Sequence, residues 1–379
     1  MRKRMLALRT LSAAGLALSV AFVAGPATAS ATTSSVTVVA SHLNNPRGLS
    51  ASGGKLYLAE AGRGGSTYCV AGTCVGLTGS IDLVGTSGVT RLVTGLISES
   101  SPGGIAAGGI VAVSASGGVL YGQVGGNNFG GGLALGQFPT FLLQAALKDI
   151  AEFGRVSSGA FVPMADVGDH DYIWSSAHMS LNPQFPDANP NGLLVTGGQV
   201  FVADAGANTL DSVTPDGVVH VLTYFGVPTG SVTDAVPTCV AKGPDGALYI
   251  GELVGGNPAP GHARVWRVTI SNGKATSKAV WASGLTTIQG CGFDSSGNFY
   301  ATEFQVNGLN PSPTGNPLGA VVKIAPNGTR TTLGMGSLFF PSGFATWNGT
   351  LYVSNCSIAP ATGLAPTLCA SGGQVVAIR

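Results

Sequence analysis

The sequence predicts an all-β fold, a six-bladed β-propeller. Three observations predict it. One phrase recurs six times: Pro-x-Gly-apolar, a Gly-rich turn, an aromatic residue between aliphatic ones, then a small residue and an acid or amide. The later copies lie 48, 51 and 52 residues apart, close to the length of one four-stranded blade. Gly occupies 59 of 379 residues, more than twice the usual share of about 7%, without the three-residue period of collagen.

The N-terminus is read first, because it is expected to be removed. Arg2, Lys3 and Arg4 form a basic start, 6–23 is apolar, and Ala27-Thr28-Ala29 is a small-x-small cleavage signal. This is the pattern of a secretory signal peptide over 1–29, with one six-bladed domain over 30–379. No later run reaches 18 apolar residues, so no membrane segment is expected after cleavage. The leader holds four bases (Arg2, Lys3, Arg4, Arg9) and no acid. Its loss leaves 14 basic and 17 acidic residues, turning the formal charge from +1 to −3. Charged residues are 9% of the chain, against about 25% in an ordinary soluble domain. That excludes a charge-rich disordered tail and leaves no basic patch for nucleic acid or an anionic membrane.

Each copy of the phrase reads as a hairpin. In the first, Pro46-Arg47-Gly48-Leu49 and Leu56-Tyr57-Leu58 flank Gly53-Gly54. In the third, Pro190-Asn191-Gly192-Leu193 and Val200-Phe201-Val202 flank Gly197-Gly198. Gly-Gly, Asp-Gly and Asn-Gly suit tight turns that need positive φ. The aromatic anchors are Tyr57, Tyr121, Phe201, Tyr249, Tyr300 and Tyr352. A second hairpin follows in most copies, such as 210–213 and 218–222 around Pro215-Asp216-Gly217, and two hairpins make a blade. After Tyr352 only the strand 374–378 remains, so the sixth blade is one strand short. The strand 35–40, ahead of the first phrase, is expected to complete it and close the ring, removing exposed edges.

Six cysteines in an exported chain read as disulfides. Cys239 and Cys291 hold near-equivalent inner-strand positions in adjacent blades. Cys69 and Cys74 flank a short loop, and Cys356 and Cys369 flank a loop of the last blade. The expected pairs are 69–74, 239–291 and 356–369. Close Cys-x-x-Cys pairs, as a zinc site would need, are absent.

Residues 125–188 interrupt the repeat as an insertion in blade two. Its Gly-rich start, 125–132, is expected to be a flexible loop. The stretch 140–153 has apolar residues at spacings of three and four and is expected to be a helix capping one face. Asp166, Asp169, His170, Asp171 and His178 form the densest titratable cluster. Their irregular spacing favours a solvated loop over a metal site.

Gly-x-Ser-x-Gly, His-Glu-x-x-His and Walker signatures are absent. One position recurs: Glu60, Asp204, Glu252, Glu303 and Asn355 end the second strand in five blades. Equivalent positions lie on one face of the ring, where Asp187 and Asn189 are also expected. A ring of such oxygens can hold Ca²⁺ or a polar ligand. Alternatively, each side chain caps its own turn.

Several segments carry a family resemblance: Asn44-Asn45-Pro46-Arg47-Gly48-Leu49, Ala203-Asp204-Ala205-Gly206-Ala207-Asn208 and Gly243-Pro244-Asp245-Gly246-Ala247-Leu248-Tyr249. The mature chain resembles the ScyD/ScyE-type family of exported bacterial propellers, named after members of the cyanobacterial scytonemin cluster. The resemblance implies a six-bladed fold and secretion and no established activity. The fifth copy departs from it, with Gln289-Gly290 where others have Pro-x-Gly.

The expected function is therefore that of an extracellular, monomeric binding or scaffold propeller. Its partner would be a small molecule or an extracellular protein, with no nucleic acid or membrane and no required cofactor. The alternative is a Ca²⁺-dependent hydrolase or lactonase of the gluconolactonase-like propeller type; a lyase of a pigment pathway is the third reading. Cleavage after Ala29 predicts that N-terminal sequencing of the exported chain starts at Ser30; an intact N-terminus on exported protein would count against the leader.

Overall fold

In a computed structural model the described residues are 30–31, 34–86, 88–129, 138–226, 234–256, 259–309 and 316–379. The leader 1–29 and Gly130, Gly131 and Gly132 of the expected loop lie outside them. Six antiparallel sheets follow one another along the chain, each adding strands outward from an inner one. The inner hairpins are Pro46–Ser52 with Lys55–Glu60, Ile110–Ser116 with Val119–Val124, and Pro190–Thr196 with Gln199–Asp204. Then come Pro237–Lys242 with Leu248–Glu252, Ile288–Phe293 with Phe299–Glu303, and Phe344–Trp347 with Thr350–Asn355. The chain is a six-bladed β-propeller.

The turn chemistry explains the hairpins. Gly53 and Gly54 have φ of 58° and 74°, and Asn348 and Gly349 have 49° and 73°. Two successive positive φ values make the type I′ turn whose twist matches paired strands.

The ring closes as expected. Val36–Leu43 pairs antiparallel with Gly373–Ile378, with Val36 opposite Ile378 and Val38 opposite Val376. The first and last parts of the domain thus share a blade. The sequence did not indicate one addition: Ser30–Ala31 pairs in parallel with the outer strand Arg330–Phe339 of blade five.

The insertion is smaller than 125–188. Glu152–Ser157 and Ala160–Asp166 are the two outer strands of blade two, within that stretch. The helix runs over Thr140–Asp149 and ends before Phe153, which lies in a strand. It buries Leu142 and Ala146 in the gap between blades one and two. The cluster expected as a loop is instead a helix, Val167–Ala177, whose N-cap Asp166 accepts from the Asp169 N–H. Asp at that position satisfies an otherwise orphaned donor.

Alternating side chains fill six gaps between blades. Phe201 packs toward blade four while its neighbour Val202 packs toward blade two, the two-residue period of a strand. All six aromatic anchors pack into the gap toward the next blade, Tyr57 against blade two through to Tyr352 against blade one. At the axis the inner strands come close. A Cβ on Gly48 would lie 2.8 Å from the Ala112 Cα, and one on Gly192 would lie 2.9 Å from the Cys239 Cα. The three disulfides are those expected: Cys69–Cys74, Cys239–Cys291 between the inner strands of blades four and five, and Cys356–Cys369.

Close approach at the axis yields a prediction. Gly192→Ala should destabilise the fold by about 1–3 kcal/mol in urea unfolding, because backbone must move. Gly226→Ala, whose Cβ would meet only the Tyr224 ring at 3.6 Å, should be close to neutral.

Candidate functional site

The two faces of the ring differ. On one, the hairpin turns within blades are two to five residues long. On the other lie long connections, among them 61–72, 167–189 and 356–372. The inner strands start on this second face, and their pairing is irregular there. Register shifts fall between Pro46 and Leu49, Ile110 and Ala112, Pro190 and Gly192, Pro237 and Cys239, and Ile288 and Gly290. Such bulges re-aim a side chain. The residues so placed are Arg47, Val111, Asn191, Thr238 and Gln289, with Ser342 at the corresponding place in blade six.

All of these but Thr238 line a cavity of about 540 Å³ at the mouth of the central channel. The long connections add Asn127, Gln184, Asp187, Asn189 and Asp234, and the end of the blade-one strand Gly88–Ser100 adds Glu99. Below it the channel narrows to a void of about 70 Å³, walled by Gly48, Gly192, Thr238, Gly290 and Gly343. The site is therefore a polar bowl on a channel pinched by glycines.

Among the described residues Arg47 is the cation lining the bowl. Its Nη2 donates to the Ala107 carbonyl (2.8 Å), and its buried Nε has no partner. Among the described residues no carboxylate pairs with it. Burial pulls the guanidinium down to about 10, so it stays charged at neutral pH. Asp187 accepts from the Ala188 N–H (2.8 Å), and burial and the nearby Asp234 charge push its carboxyl up. Asp234 accepts from Asn182 Nδ2 (2.6 Å) and is also raised by burial, as is Glu99. Asn189 Oδ1 accepts from the Gly126 N–H (3.0 Å). Gln289 of blade five reaches Asn191 of blade three at 3.4 Å, across the channel mouth.

The recurring acids do not come together. Each turns into the end of its own blade. The N–H groups of Asn44, Asn189 and Thr286, just ahead of three inner strands, donate to Glu60, Asp204 and Glu303, and that of Phe339, at the end of blade five's outer strand, donates to Asn355 (2.6 to 2.8 Å). Asp204 takes two further N–H groups, from Gly206 and Ala207. Glu252 is gripped by Arg264 through Nε (2.8 Å) and Nη2 (2.9 Å). These five are buried, and each accepts from a backbone N–H, with Arg264 and Trp266 adding donors to Glu252. Among the described residues no group of three or more His, Cys, Asp and Glu is placed to hold a metal ion. The donor set does not fit Ca²⁺, which asks for several converging oxygens.

Helix Val167–Ala177 and its flanks disperse the remaining cluster. Asp166 caps the helix. Asp169 accepts from the Asn128 N–H (2.6 Å), and His170 Nδ1 lies 2.9 Å from Asp171. Asp171 is buried beside Asp204 and Asp211, whose carboxyls burial and the Asp171 charge push well up. The His178 ring stacks on Trp174 at 4.2 Å. Of the sequence-predicted ligand residues, Asp187 and Asn189 line the cavity and the other five do not. Sequence reasoning missed Arg47 and Gln289. The available signal was the variable middle residue of Pro-x-Gly, the one place in the phrase that the fold leaves free.

Raised carboxyl pKa values set the direction of pH dependence. Asp82 is held at about 9 by burial and the adjacent Glu60, although Arg91 pairs with both. Burial puts Glu303 and Glu152 at about 7 and Asp166 at about 6. Each binds its proton more tightly folded than unfolded. That stability is present in full below about pH 4 and is lost as pH rises through the folded values. Scanning calorimetry should therefore show Tm falling from about pH 5 to about pH 9. Asp82→Asn should flatten the alkaline part of the fall; a Tm that rises across this range would contradict the assignment.

No protein-family model matches the chain, and no curated protein does. Solved structures do. The chain is similar to a gluconolactonase of Xanthomonas campestris, XC5397, at 11% identity and a TM-score of 0.52, over 91% of this chain and 90% of that one. It is similar to a protein of unknown function from Bacteroides thetaiotaomicron at 9% identity and a TM-score of 0.53, over 92% of this chain and 76% of that one. The structural neighbours include gluconolactonase-type and NHL-like six-bladed propellers, and the likeness is one of fold.

Proposed function

We propose that this is a secreted propeller, of the ScyD/ScyE type it resembles in sequence, that binds a small polar molecule in the bowl at the channel mouth. One observation carries the reading. The bulged inner-strand residues put polar side chains, including an arginine with no counter-ion among the described residues, into a cavity of about 540 Å³, within the usual range for ligand pockets. Buried charge costs free energy unless something compensates it, and nothing in the fold requires charge there: the same position holds Val111 in blade two. Three disulfides support an oxidising, extracellular setting. The reading takes the chain as a monomer without nucleic-acid or membrane partners. The Ca²⁺-dependent lactonase alternative would need Glu60, Glu252 and Glu303 to leave the donors they now hold.

A thermal-shift screen of polar metabolites, each with Ca²⁺ and with EDTA, tests the reading. A compound at about 100 times its Kd should stabilise the wild type by about 2.7 kcal/mol, equally in both buffers. Asn191→Leu should weaken that effect. Stabilisation that appears only with Ca²⁺, together with lactone hydrolysis, would favour the alternative instead.

A further inference from the structure

The bowl is polar in the electrical sense as well as the chemical one. Its cation, Arg47, belongs to blade one. Two of its carboxylates, Asp187 and Asp234, each stand three residues before an inner strand, Pro190–Thr196 of blade three and Pro237–Lys242 of blade four. In a ring of six, blade four lies opposite blade one and blade three is next to four. The positive and negative ends of the bowl are thus on opposite sides of the channel mouth. Three residues ahead of the inner strands at Pro46, Ile110 and Ile288 the chain has Leu43, Ala107 and Leu285, all buried. The two acids occupy places where other blades put apolar side chains. Asp187 and Asp234 feel one another's charge and lack a cationic partner among the described residues. The third acid, Glu99, sits at the Arg47 side, its backbone paired with Gly108 next to Ala107. It makes no ion pair there, and burial favours its neutral form. The same cavity is lined by the amides of Asn189 and Asn191, from blade three, and of Gln289, from blade five.

We infer that the bowl takes a short peptide end to end, its carboxylate on Arg47 and its ammonium between Asp187 and Asp234. A free guanidinium matches a carboxylate in a two-point, charge-assisted contact. Two carboxylates held close favour an added cation, which removes their mutual repulsion. The amides lining the bowl supply donors and acceptors for a peptide backbone. The inference rests on the ligand-binding reading of the bowl and names its ligand class.

The test is titration calorimetry on the wild-type protein with triglycine, N-acetyltriglycine and triglycine amide. Triglycine should bind, and blocking either end should weaken binding at least about tenfold. Arg47→Gln should bind triglycine and its amide alike, and Asp234→Asn should no longer distinguish triglycine from its N-acetyl form. Circular dichroism and Tm verify that the variants fold, and the blocked peptides need no variant. Absence of triglycine binding, or blocked forms binding as well as the free one, would overturn the peptide assignment. If the metabolite screen then yields neutral ligands sensitive to Asn191→Leu, the bowl still binds ligands and the peptide assignment alone falls. If neither set binds, both fall.

Discussion

Face-to-face packing between neighbouring blades is the constraint on which the rest of this structure depends. A single hairpin of this sequence has two apolar faces and cannot bury either alone. Six of them can, if each wedges an aromatic side chain into the gap toward the next and offers its aliphatic residues to the previous one. The ring works only if it closes, and the N-terminal strand Val36–Leu43 closes it by joining the last blade. The same packing sets the channel. Inner strands approach until backbone meets backbone at Gly48, Gly192 and Gly343, so no side chain fits at those three places. Above the neck the strands splay, bulge and release side chains into the open space.

Charge in this chain serves two separate purposes. Most of the recurring acids are structural: they receive the N–H groups of the segment entering the same blade, and so tie the end of the second strand to the start of the first. Their surroundings differ from blade to blade. Arg91 sits over Glu60 and Asp82, and Arg264 over Glu252, while Asp204 and Asp211 have a third acid, Asp171, beside them and take backbone N–H groups and the Thr209 hydroxyl instead of an arginine. Burial makes Asp82, Asp204, Asp211 and Glu252 hold their protons more tightly than free carboxyls do. The bowl is the second use. Its Arg47 cation, among the described residues, is left with a single carbonyl.

Much of the fold was legible because it is local and repeated. A Gly-Gly or Asn-Gly turn states its geometry in two residues, and an aromatic between aliphatics states a strand with two buried faces. The missing sixth-blade strand could be found by counting, and the cysteine pairs followed from the register of the blades. Helix Val167–Ala177 was misread as a loop because its interest lay in its charges, which hid the Asp cap that starts it. The blade-two insertion was drawn too long because its outer strands follow a helix and lack the phrase.

The sequence by itself determined the number of blades, the closing strand, the disulfides and the repeated acid at each second-strand end. Which way those acids point was decided by the tertiary structure. A carboxylate at a strand end can reach the axis or its own blade's backbone, and the outcome depends on the N–H groups that the packed ring brings within about 2.8 Å. The bowl was likewise invisible to the sequence. Arg47, Asn191 and Gln289 are 242 residues apart from first to last, and they meet only because five of the inner strands bulge at their starts and the ring bends those starts around one axis.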